Sequence, residues 1–403
     1  MSFAIGLNSG SSFDGIDAVL VELGMSPDGN PSRPRFVAGR SYDWPEAVAK
    51  DVLRAFDNEL TIFELCRLNY TAGAVYATCA RELMRELSLK PEEVEVIGYD
   101  GQTIYQEPAN HLRLSEFTGS DDLIGRWQDG PYPCGLQIGE PAIVATACNV
   151  PTVTQFRASD HALGGAGAPL MQYLDFVAFR DIGPVLTLNI GGIANCQLAY
   201  SDRSKMMAFD TGPGNVMLDH ASRALLKQPY DKNGEVASRG TVVPNLLAFL
   251  LSHEFFDRPP PRSAWRRDFG AEYANQVIQE NSKLSVEDLM CTFTEFTAVS
   301  ITRSIRQHVR ELDKISQVIA SGGGVRNAFL MQRITDNLSD GLQLITSDAY
   351  GIPPQFKEAV KFATLAYANI NKLANNIPAA SGAAGFTVLG KCVMPPRLAK
   401  VVG

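Results

Sequence analysis

The sequence predicts an α/β protein of two lobes, each with a mixed sheet, and a cleft between them. The first reason is length, since the chain has 403 residues whereas single hydrophobic cores stop growing at roughly 250–300 residues. The second is that short apolar strand patterns alternate with helical patterns throughout. The third is a repeat: Leu7-Asn8 and Leu188-Asn189 both lead from a hydrophobic strand into a glycine turn and back. The alternative for this repeat is coincidence between two hairpins.

The elements of the first half follow from the spacing of apolar residues. Runs rich in Val, Ile and Leu between turn residues predict strands, and apolar residues at helical spacing predict helices. The predicted elements are a strand over 3–7, a glycine and serine turn over 8–12, a strand over 18–22, helices over 44–58 and 63–87, and a strand over 94–98. Polar residues 99–103 follow the last strand, a position where binding sites are common.

The second half begins in the same way. Its predicted elements are strands over 185–189 and 196–200 around a glycine turn, a strand over 317–321, helices over 328–338 and 356–373, and a loop with a last strand over 376–393. Residues 257–263 include three consecutive prolines, which cannot continue a helix, so we expect a stiff loop there.

Composition excludes several classes of protein. Hydrophobic residues make up 45% of the chain and charged residues 20%, which excludes a disordered, collagenous or coiled-coil protein. With 36 basic and 44 acidic residues the net charge is -8, a balance that disfavours nucleic acid as a partner. No apolar stretch approaches the roughly 20 residues of a membrane span, and the N-terminus lacks the basic region of a signal peptide. We therefore expect a cytoplasmic protein.

Cysteine and histidine are scattered along the chain. The seven cysteines form no CxxC pair and the five histidines form no HxxxH pair. This pattern favours free buried thiols over a disulfide framework or a zinc site. A serine hydrolase is also disfavoured, because the GxSxG motif is absent.

Three glycine-rich turns, each after a predicted strand, indicate a nucleotide site. They lie at 8–12, 191–192 and 322–324. Backbone N–H groups can surround phosphates only where side chains do not obstruct them, which is why such sites use glycine. The GxxxxGK[ST] and GxGxxG patterns are absent, so a P-loop kinase and a Rossmann dehydrogenase are disfavoured.

Asp210 is the leading candidate for chemistry, because it ends a hydrophobic strand and precedes a turn dense in glycine and proline. It is either a general base or metal-linked carboxylate at a cleft, or a side chain that hydrogen-bonds the amides of its own turn. The same alternatives hold for Asp14 and Asp17 in the first hairpin. Arg157 with Asp160 either binds a sugar or phosphate or forms an ordinary ion pair.

Several motifs taken together are more specific than any one of them. They are GLNSGSSFDGID at 6–17, GQT at 101–103, LQIGEP at 136–141, FR at 156–157 with Asp160, GGAGAP at 164–169, NIGGIAN at 189–195, FDTGPGN at 209–215, GGGVRN at 322–327 and VLG at 388–390. In this order they resemble the anhydro-N-acetylmuramic acid kinases from end to end. Asn8 in the first turn is most similar to the levoglucosan kinase branch of that family.

The resemblance implies the two-lobed, ribonuclease H-like fold of sugar kinases, heat-shock ATPases and actin, with ATP and a sugar in a central cleft. We expect an N-terminal lobe over 1–158, to which 359–403 returns, and a C-terminal lobe over 159–358. The implied reaction couples attack of water on the anomeric carbon of a 1,6-anhydro sugar to phosphorylation of its 6-oxygen by MgATP. A homodimer is the family expectation.

The resemblance also implies a role for each matching residue. Asp210 is the expected base that removes a proton from the attacking water. The residues expected at ATP are Gly10, Ser11 and Ser12 for the γ-phosphate, Gly191 and Gly192 for the other phosphates, Gly322, Gly323 and Gly324 for the adenosine, and also Gly212, Gly214, Asn215 and Asn327. Asp14, Thr103, Arg157 and Asp160 are expected to face the sugar, and Glu358 to help hold Mg²⁺.

The chain departs from the family pattern on the sugar side. The departures are Asp100 for His, Gln155 for Asp, Ala166 for Gln, Trp265 for Gly and Arg267 for Glu. We therefore expect ATP binding, and leave three functions open: a kinase of anhydro-N-acetylmuramic acid or levoglucosan, a non-catalytic nucleotide-binding protein, and an ordinary hexose kinase. The intact surroundings of Asp210 favour the first.

Overall fold

The computed structural model describes residues 1–10, 13, 15–107, 127–128, 134–260, 262–264 and 266–396. Its strands are β1 (Ser2–Asn8), β2 (Ile16–Leu23), β3 (Arg35–Tyr42), β4 (Val94–Gly98), β5 (Gln102–Gln106), β6 (Gly135–Ile138), β7 (Thr152–Thr154), β8 (Val185–Ile190), β9 (Ile193–Ala199), β10 (Met207–Pro213), β11 (Gln317–Ser321), β12 (Gln343–Thr346) and β13 (Lys391–Val393).

The helices separate these strands in both halves of the chain. They are α1 (Glu46–Phe56), α2 (Ile62–Glu86), α3 (Pro141–Cys148), α4 (Arg157–Ala162), α5 (Met171–Phe179), α6 (Val216–Ala221), α7 (Pro244–Leu251), α8 (Arg266–Phe269), α9 (Ala271–Glu280), α10 (Val286–His308), α11 (Ala328–Asn337), α12 (Lys357–Ile370) and α13 (Pro378–Ser381). No helix of the described ranges is long and apolar enough to cross a membrane.

The chain divides into two compact units. Unit 1 is Met1–Ala178 with Phe356–Gly403, and unit 2 is Phe179–Gln355. The first boundary between the units follows Ala178, whereas the sequence predicts it after residue 158. The segment in between includes most of α5, which is joined to the returning helix α12. A buried ion pair joins them, with Nζ of Lys357 2.7 Å from Oδ1 of Asp175. Both α5 and α12 therefore begin in unit 1.

The two units contain the same five-strand arrangement. In unit 1 the order β3-β2-β1-β4-β7 continues to β13, and in unit 2 the order is β10-β9-β8-β11-β12. In each, the first three strands in sequence pair antiparallel, and the fourth and fifth join in parallel beside the first. The repeat predicted from Leu7-Asn8 and Leu188-Asn189 is confirmed, and so is the ribonuclease H-like α/β fold class.

Each unit has a core of its own between a sheet and its helices. In unit 1, α12 packs on β1, β2 and β4, which explains why the end of the chain returns there. In unit 2, the 23-residue helix α10 packs on β9 and β10, and most of its apolar side chains are buried. Because α10 lies against β10, it supports the strand that carries Asp210.

The predicted elements match closely, with a few local differences. The strands predicted over 94–98 and 317–321 have those bounds. The strand predicted over 196–200 begins earlier, at Ile193, because hairpin pairing with β8 extends to the turn. All seven cysteines are free as predicted, but Cys66, Cys134 and Cys392 are exposed, so the expectation of burial was wrong for these three.

Candidate functional site

Asp210 lies in β10 and is half-buried. Its Oδ2 accepts a hydrogen bond of 2.7 Å from the backbone N–H of Ala264. Its Oδ1 accepts none from the described residues. The amide that it engages therefore belongs to the loop after the prolines, and not to its own turn. One carboxylate oxygen is held while the other remains available to a ligand.

Burial raises the pKa of Asp210 to about 7. The Ala264 N–H and the Arg262 guanidinium lower this pKa, and the nearby Asp268 raises it, but desolvation is the largest effect. A general base works best when its pKa lies near the working pH, because it is then ionised and still accepts a proton readily. The position and acidity of Asp210 both suit a general base.

Arg262 holds the backbone of β10 at Asp210. Its Nε donates to the Asp210 carbonyl at 3.0 Å, and its own carbonyl accepts from the Asp210 N–H at 3.0 Å. Nη1 donates to the Arg258 carbonyl at 2.9 Å, and Nη2 donates to Oγ of Ser304 at 2.8 Å. The guanidinium lies 4.5 Å from the ring centroid of Phe255 and is buried.

The pKa of Arg262 falls to about 10 because the guanidinium is desolvated, yet it stays charged at neutral pH. Sequence reasoning missed Arg262. The sequence shows only an arginine that follows three prolines, which by itself does not indicate a functional residue. The contact with Asp210 joins residues that are distant in the chain.

The structure brings two of the predicted glycine segments together. The N–H groups of Gly214 and Asn215 donate to the carbonyls of Gly192 and Gly191, both at 2.8 Å. These N–H groups are thereby occupied, so neither is available to a phosphate. Gly191 and Gly192 donate no hydrogen bond to the described residues, and their N–H groups remain available. The phosphate-binding prediction fits 191–192 better than 214–215.

The glycines of 322–324 divide into two kinds. A Cβ on Gly324 would lie 2.2 Å from Cγ2 of Ile190, and one on Gly322 would lie 2.7 Å from the Ile190 carbonyl oxygen. These two glycines are required for β11 to end against β8. Gly323 is exposed and a Cβ there would meet nothing within 4 Å. The fold does not require glycine at 323, and contact of this residue with a nucleotide stays a prediction.

Two other residues expected at ATP have structural roles. Asn327 is the N-cap of α11, since its Oδ1 accepts from the N–H of Leu330 at 3.0 Å. Gly212 has a φ of 138°, a conformation that other residues rarely adopt. Contact with a nucleotide at these positions stays a prediction.

In unit 1, a buried hydrogen-bond chain holds the first glycine turn. Nε1 of Trp44 donates to Oγ of Ser9 at 3.1 Å, and Oγ of Ser9 donates to Oε1 of Gln102 at 2.6 Å. All three side chains are buried. The carbonyl of Gly10 then accepts from the N–H of Phe13 at 3.1 Å. Gln102 of the GQT motif therefore supports the turn expected at the γ-phosphate.

Three of the predicted site residues, Ser11, Ser12 and Asp14, lie outside the described residues. Asp17 lies in β2 opposite Asn8 and accepts a hydrogen bond of 2.5 Å from Oγ of Ser41. This contact holds β2 to β3. Thr103 lies in β5, partly exposed, and its hydroxyl makes no hydrogen bond to the described residues. Thr103 is thus available to a ligand.

Arg157 and Asp160 hold the loop 164–169 from one helix, α4. Nη1 of Arg157 donates to the Gly167 carbonyl at 2.9 Å, and the Gly167 N–H donates to Oδ2 of Asp160 at 2.9 Å. Oδ1 of Asp160 accepts from Oγ of Ser381 at 2.8 Å, so both carboxylate oxygens are occupied. Asp160 is 1% exposed. The structure therefore accounts for Asp160 as a support of the loop.

Three residues that depart from the family pattern, Asp100, Gln155 and Ala166, form hydrogen bonds or ion pairs in the part of the chain that the structure describes. Asp100 forms an ion pair with Arg157, with Oδ2 2.6 Å from Nε. The Ala166 N–H donates to the Ser381 carbonyl at 2.8 Å. Gln155 has a φ of 54° and its Oε1 accepts from Nζ of Lys391 at 2.8 Å. Trp265 and the side chain of Arg267 lie outside the described residues.

Glu358 lies in the first turn of α12, as predicted. Its Oε2 lies 3.4 Å from Nζ of Lys361, and its side chain is 38% exposed. Within the described ranges no group of three or more His, Cys, Asp or Glu side chains is placed to hold a metal ion. A magnesium ion carried by nucleotide phosphates needs only one or two carboxylates, and Glu358 fits that requirement.

Comparison with known proteins gives full-length matches. A family model described as anhydro-N-acetylmuramic acid kinase matches residues 2–395. A relative of that name from Caldanaerobacter subterraneus subsp. tengcongensis is 36% identical over 395 residues, with 96% of each chain covered. Another relative of that name, from Bacillus cereus, is 34% identical over 400 residues, covering 98% of this chain and 100% of the relative.

Similarity to solved structures is low. The activator of the 2-hydroxyisocaproyl-CoA dehydratase from Clostridium difficile with bound ADPNP is 11% identical, with a TM-score of 0.42 over 92% of this chain and 96% of that chain. A ROK family glucokinase from Streptomyces griseus in complex with glucose and AMPPNP is 13% identical, with a TM-score of 0.38 over 91% of this chain and 99% of that chain. The fold assignment rests on the strand order described above and not on these two structures.

Proposed function

We propose that this chain is an ATP-dependent kinase which opens a 1,6-anhydro sugar and phosphorylates its 6-oxygen. The premise is that the chain belongs to the anhydro-N-acetylmuramic acid kinase family. The substrate is 1,6-anhydro-N-acetylmuramic acid. The observation that carries the proposal is the carboxylate of Asp210, with one oxygen held by Ala264, the other available, and a pKa of about 7.

The proposed reaction starts at Asp210, whose free Oδ1 accepts a proton from a water molecule. The water oxygen bonds to the anomeric carbon of the sugar, and the bond from that carbon to O6 breaks. The electron pair left on O6 forms the new bond to the γ-phosphorus of ATP, and ADP leaves. One water is consumed for each phosphoryl group transferred, so the product is the sugar 6-phosphate with its 1,6-anhydro bridge opened and a free anomeric hydroxyl.

The ATP side of the proposal is supported by the glycines that the fold does not require. Gly191 and Gly192 have available N–H groups, and Gly323 is exposed with open space at its Cα. Backbone N–H groups bind phosphate oxygens without adding a side chain that would block approach. Gly10, Ser11 and Ser12 are proposed at the γ-phosphate.

The sugar side of the proposal is supported by Thr103 and Arg157. The Thr103 hydroxyl and Nη2 of Arg157 make no hydrogen bond to the described residues, so both can donate to sugar oxygens. Asp14 is proposed there by resemblance alone. Asp160 is proposed to act on the sugar through the loop 164–169, because its oxygens are both occupied.

We propose that Glu358 holds Mg²⁺ together with the nucleotide phosphates. Such an ion neutralises negative charge on the phosphoryl oxygens during transfer. A cytoplasmic location and a homodimer stay predictions from the sequence and the resemblance.

The proposal is tested by measuring ADP release from MgATP with 1,6-anhydro-N-acetylmuramic acid, levoglucosan or glucose, followed by mass spectrometry of the products. We expect release with the anhydro amino sugar and a product heavier by one water and one phosphoryl group. A product heavier by the phosphoryl group alone would contradict the coupled hydrolysis.

The three substrates also separate the alternatives. Preference for levoglucosan would change the substrate but not the mechanism, and preference for glucose would indicate an ordinary hexose kinase. ATP binding without product from any of the three would indicate a nucleotide-binding protein. Asp210→Asn is the matched control for turnover.

A further inference from the structure

A carboxylate is buried beside the arginine proposed at the sugar. Asp100 follows β4, and only 3% of its surface is exposed. Its Oδ1 accepts from the Phe156 N–H at 3.1 Å, and its Oδ2 accepts from Nε of Arg157 at 2.6 Å. A buried carboxylate is costly unless paired, so this contact constrains both side chains.

The Arg157 guanidinium is held at two of its three nitrogens. Nε is engaged by Asp100, and Nη1 donates to the Gly167 carbonyl at 2.9 Å. Nη2 donates to no atom of the described residues. An arginine has several rotatable bonds, and fixing them before a ligand arrives removes part of the entropic cost of binding. The remaining nitrogen is therefore presented in one orientation.

We propose that Asp100 is a positioning residue, which holds the Arg157 guanidinium so that Nη2 donates to an oxygen of the sugar. This inference rests on the proposed function, because the sugar is the ligand that Nη2 binds. The pair also carries no net charge, so the arginine contributes directed N–H groups and not an isolated positive charge.

Asp100→Asn separates this role from a structural one. An asparagine keeps an oxygen that accepts from the Phe156 N–H, and it has nearly the same volume. Its amide N–H₂ then faces the Nε–H of Arg157, and two donors cannot bond each other. The backbone contact survives while the grip on the guanidinium is lost.

The experiment is a double-mutant cycle of Asp100→Asn and Arg157→Met, with the KM for 1,6-anhydro-N-acetylmuramic acid and the KM for ATP measured in each variant. We expect Asp100→Asn to raise the sugar KM about tenfold, with the ATP KM changed by less than about twofold. In the Arg157→Met background, Asp100→Asn should have no further effect on the sugar KM.

Thr154→Val is the matched control. Oγ1 of Thr154 donates to the Asp100 carbonyl at 3.2 Å, so this variant disturbs the same buried segment without touching the carboxylate. Its sugar KM should stay near that of the wild type. An equal rise in Thr154→Val, or in the ATP KM of Asp100→Asn, would show a structural effect and overturn the proposal.

The hydrogen bond from Nε of Arg157 to Asp100 is measured without substrate, from the Nε–H resonance of Arg157 in ¹⁵N-labelled protein. We expect slow solvent exchange in the wild type and fast exchange in Asp100→Asn. Equal exchange in the two proteins would overturn the inference even if the enzyme is active. A wild-type protein that neither binds nor converts the sugar would instead overturn the proposed function, and the inference with it.

Discussion

The backbone N–H of Ala264 lies 2.7 Å from Oδ2 of Asp210, so the loop after the prolines supports the proposed base. Asparagine at 210 keeps this contact but cannot accept a proton from water. We expect Asp210→Asn to lower kcat by about 10²- to 10⁴-fold. The affinity for ATP, measured by calorimetry, should change little, since Asp210 does not contact the nucleotide in the proposal. An active variant would show that another group is the base.

The pKa of about 7 for Asp210 predicts the pH dependence of the reaction. A base acts only when ionised, so kcat/KM should rise with pH through about 7 and then level off. Measurement from pH 5 to 9 at saturating MgATP tests this. A flat profile across that range would contradict the role of Asp210.

The raised pKa of Asp210 also predicts how the stability of the folded protein depends on pH. The pKa of Asp210 is higher in the folded protein than the ordinary value of 3.8, so the fold loses stability as pH rises from about 4 to about 7. Asparagine does not ionise. We therefore expect the Tm of Asp210→Asn to exceed that of the wild type more at pH 8 than at pH 4.5. A constant Tm difference between the two pH values would contradict this.

Arg262→Gln should impair both stability and turnover. It leaves the carbonyls of Asp210 and Arg258 and Oγ of Ser304 without their donor, at a cost of about 3 kcal/mol in the free energy of unfolding. It also removes a positive charge that lowers the pKa of Asp210, so the acidic limb of the pH profile should move upward. Urea unfolding and pH–rate profiles measure the two effects.

The control for Arg262 is Arg303→Gln. Nη1 of Arg303 donates to the Leu251 carbonyl at 3.2 Å and does not touch Asp210. Its pH profile should stay close to that of the wild type. A shift of equal size in both variants would point to general charge effects and not to the contact with β10.

Alanine at Gly323 and at Gly324 should have different consequences. Gly324→Ala places a Cβ 2.2 Å from Ile190 and should reduce stability by several kcal/mol, as overpacking and backbone shifts do. Gly323→Ala meets open space, so its Tm should be nearly unchanged while its affinity for ATP falls. Thermal unfolding with and without ATP separates the two, and unchanged ATP affinity in Gly323→Ala would remove this residue from the proposed site.

Ser9→Ala and Thr103→Ala test the two roles assigned to polar residues of unit 1. Ser9→Ala leaves Nε1 of Trp44 and Oε1 of Gln102 buried and unpaired, which should cost about 1–3 kcal/mol of stability. Thr103→Ala breaks no hydrogen bond within the described residues and should instead raise the sugar KM. Urea unfolding measures the stability and initial rates measure the sugar KM. A loss of stability in Thr103→Ala with an unchanged sugar KM would contradict the role assigned to Thr103.

Local patterns in the sequence determined a large part of this protein. The strands at 94–98 and 317–321, the duplicated strand and glycine turn, and the acidic residue within β10 are all readable over a few residues. This is because strand and helix periodicity and turn composition act at short range. The order of the nine motifs along the chain was enough to indicate the family.

Tertiary structure alone decided what these residues contact. Arg262 meets Asp210, Asp100 holds Arg157, and Asp160 is buried against Ser381. It also decided that Gly324 is required by packing while Gly323 is not. Such contacts join residues tens to hundreds of positions apart, and they depend on strand order and loop paths that no local pattern encodes. The motifs that predict a site were therefore readable in the sequence, whereas the hydrogen bonds among their residues required the fold.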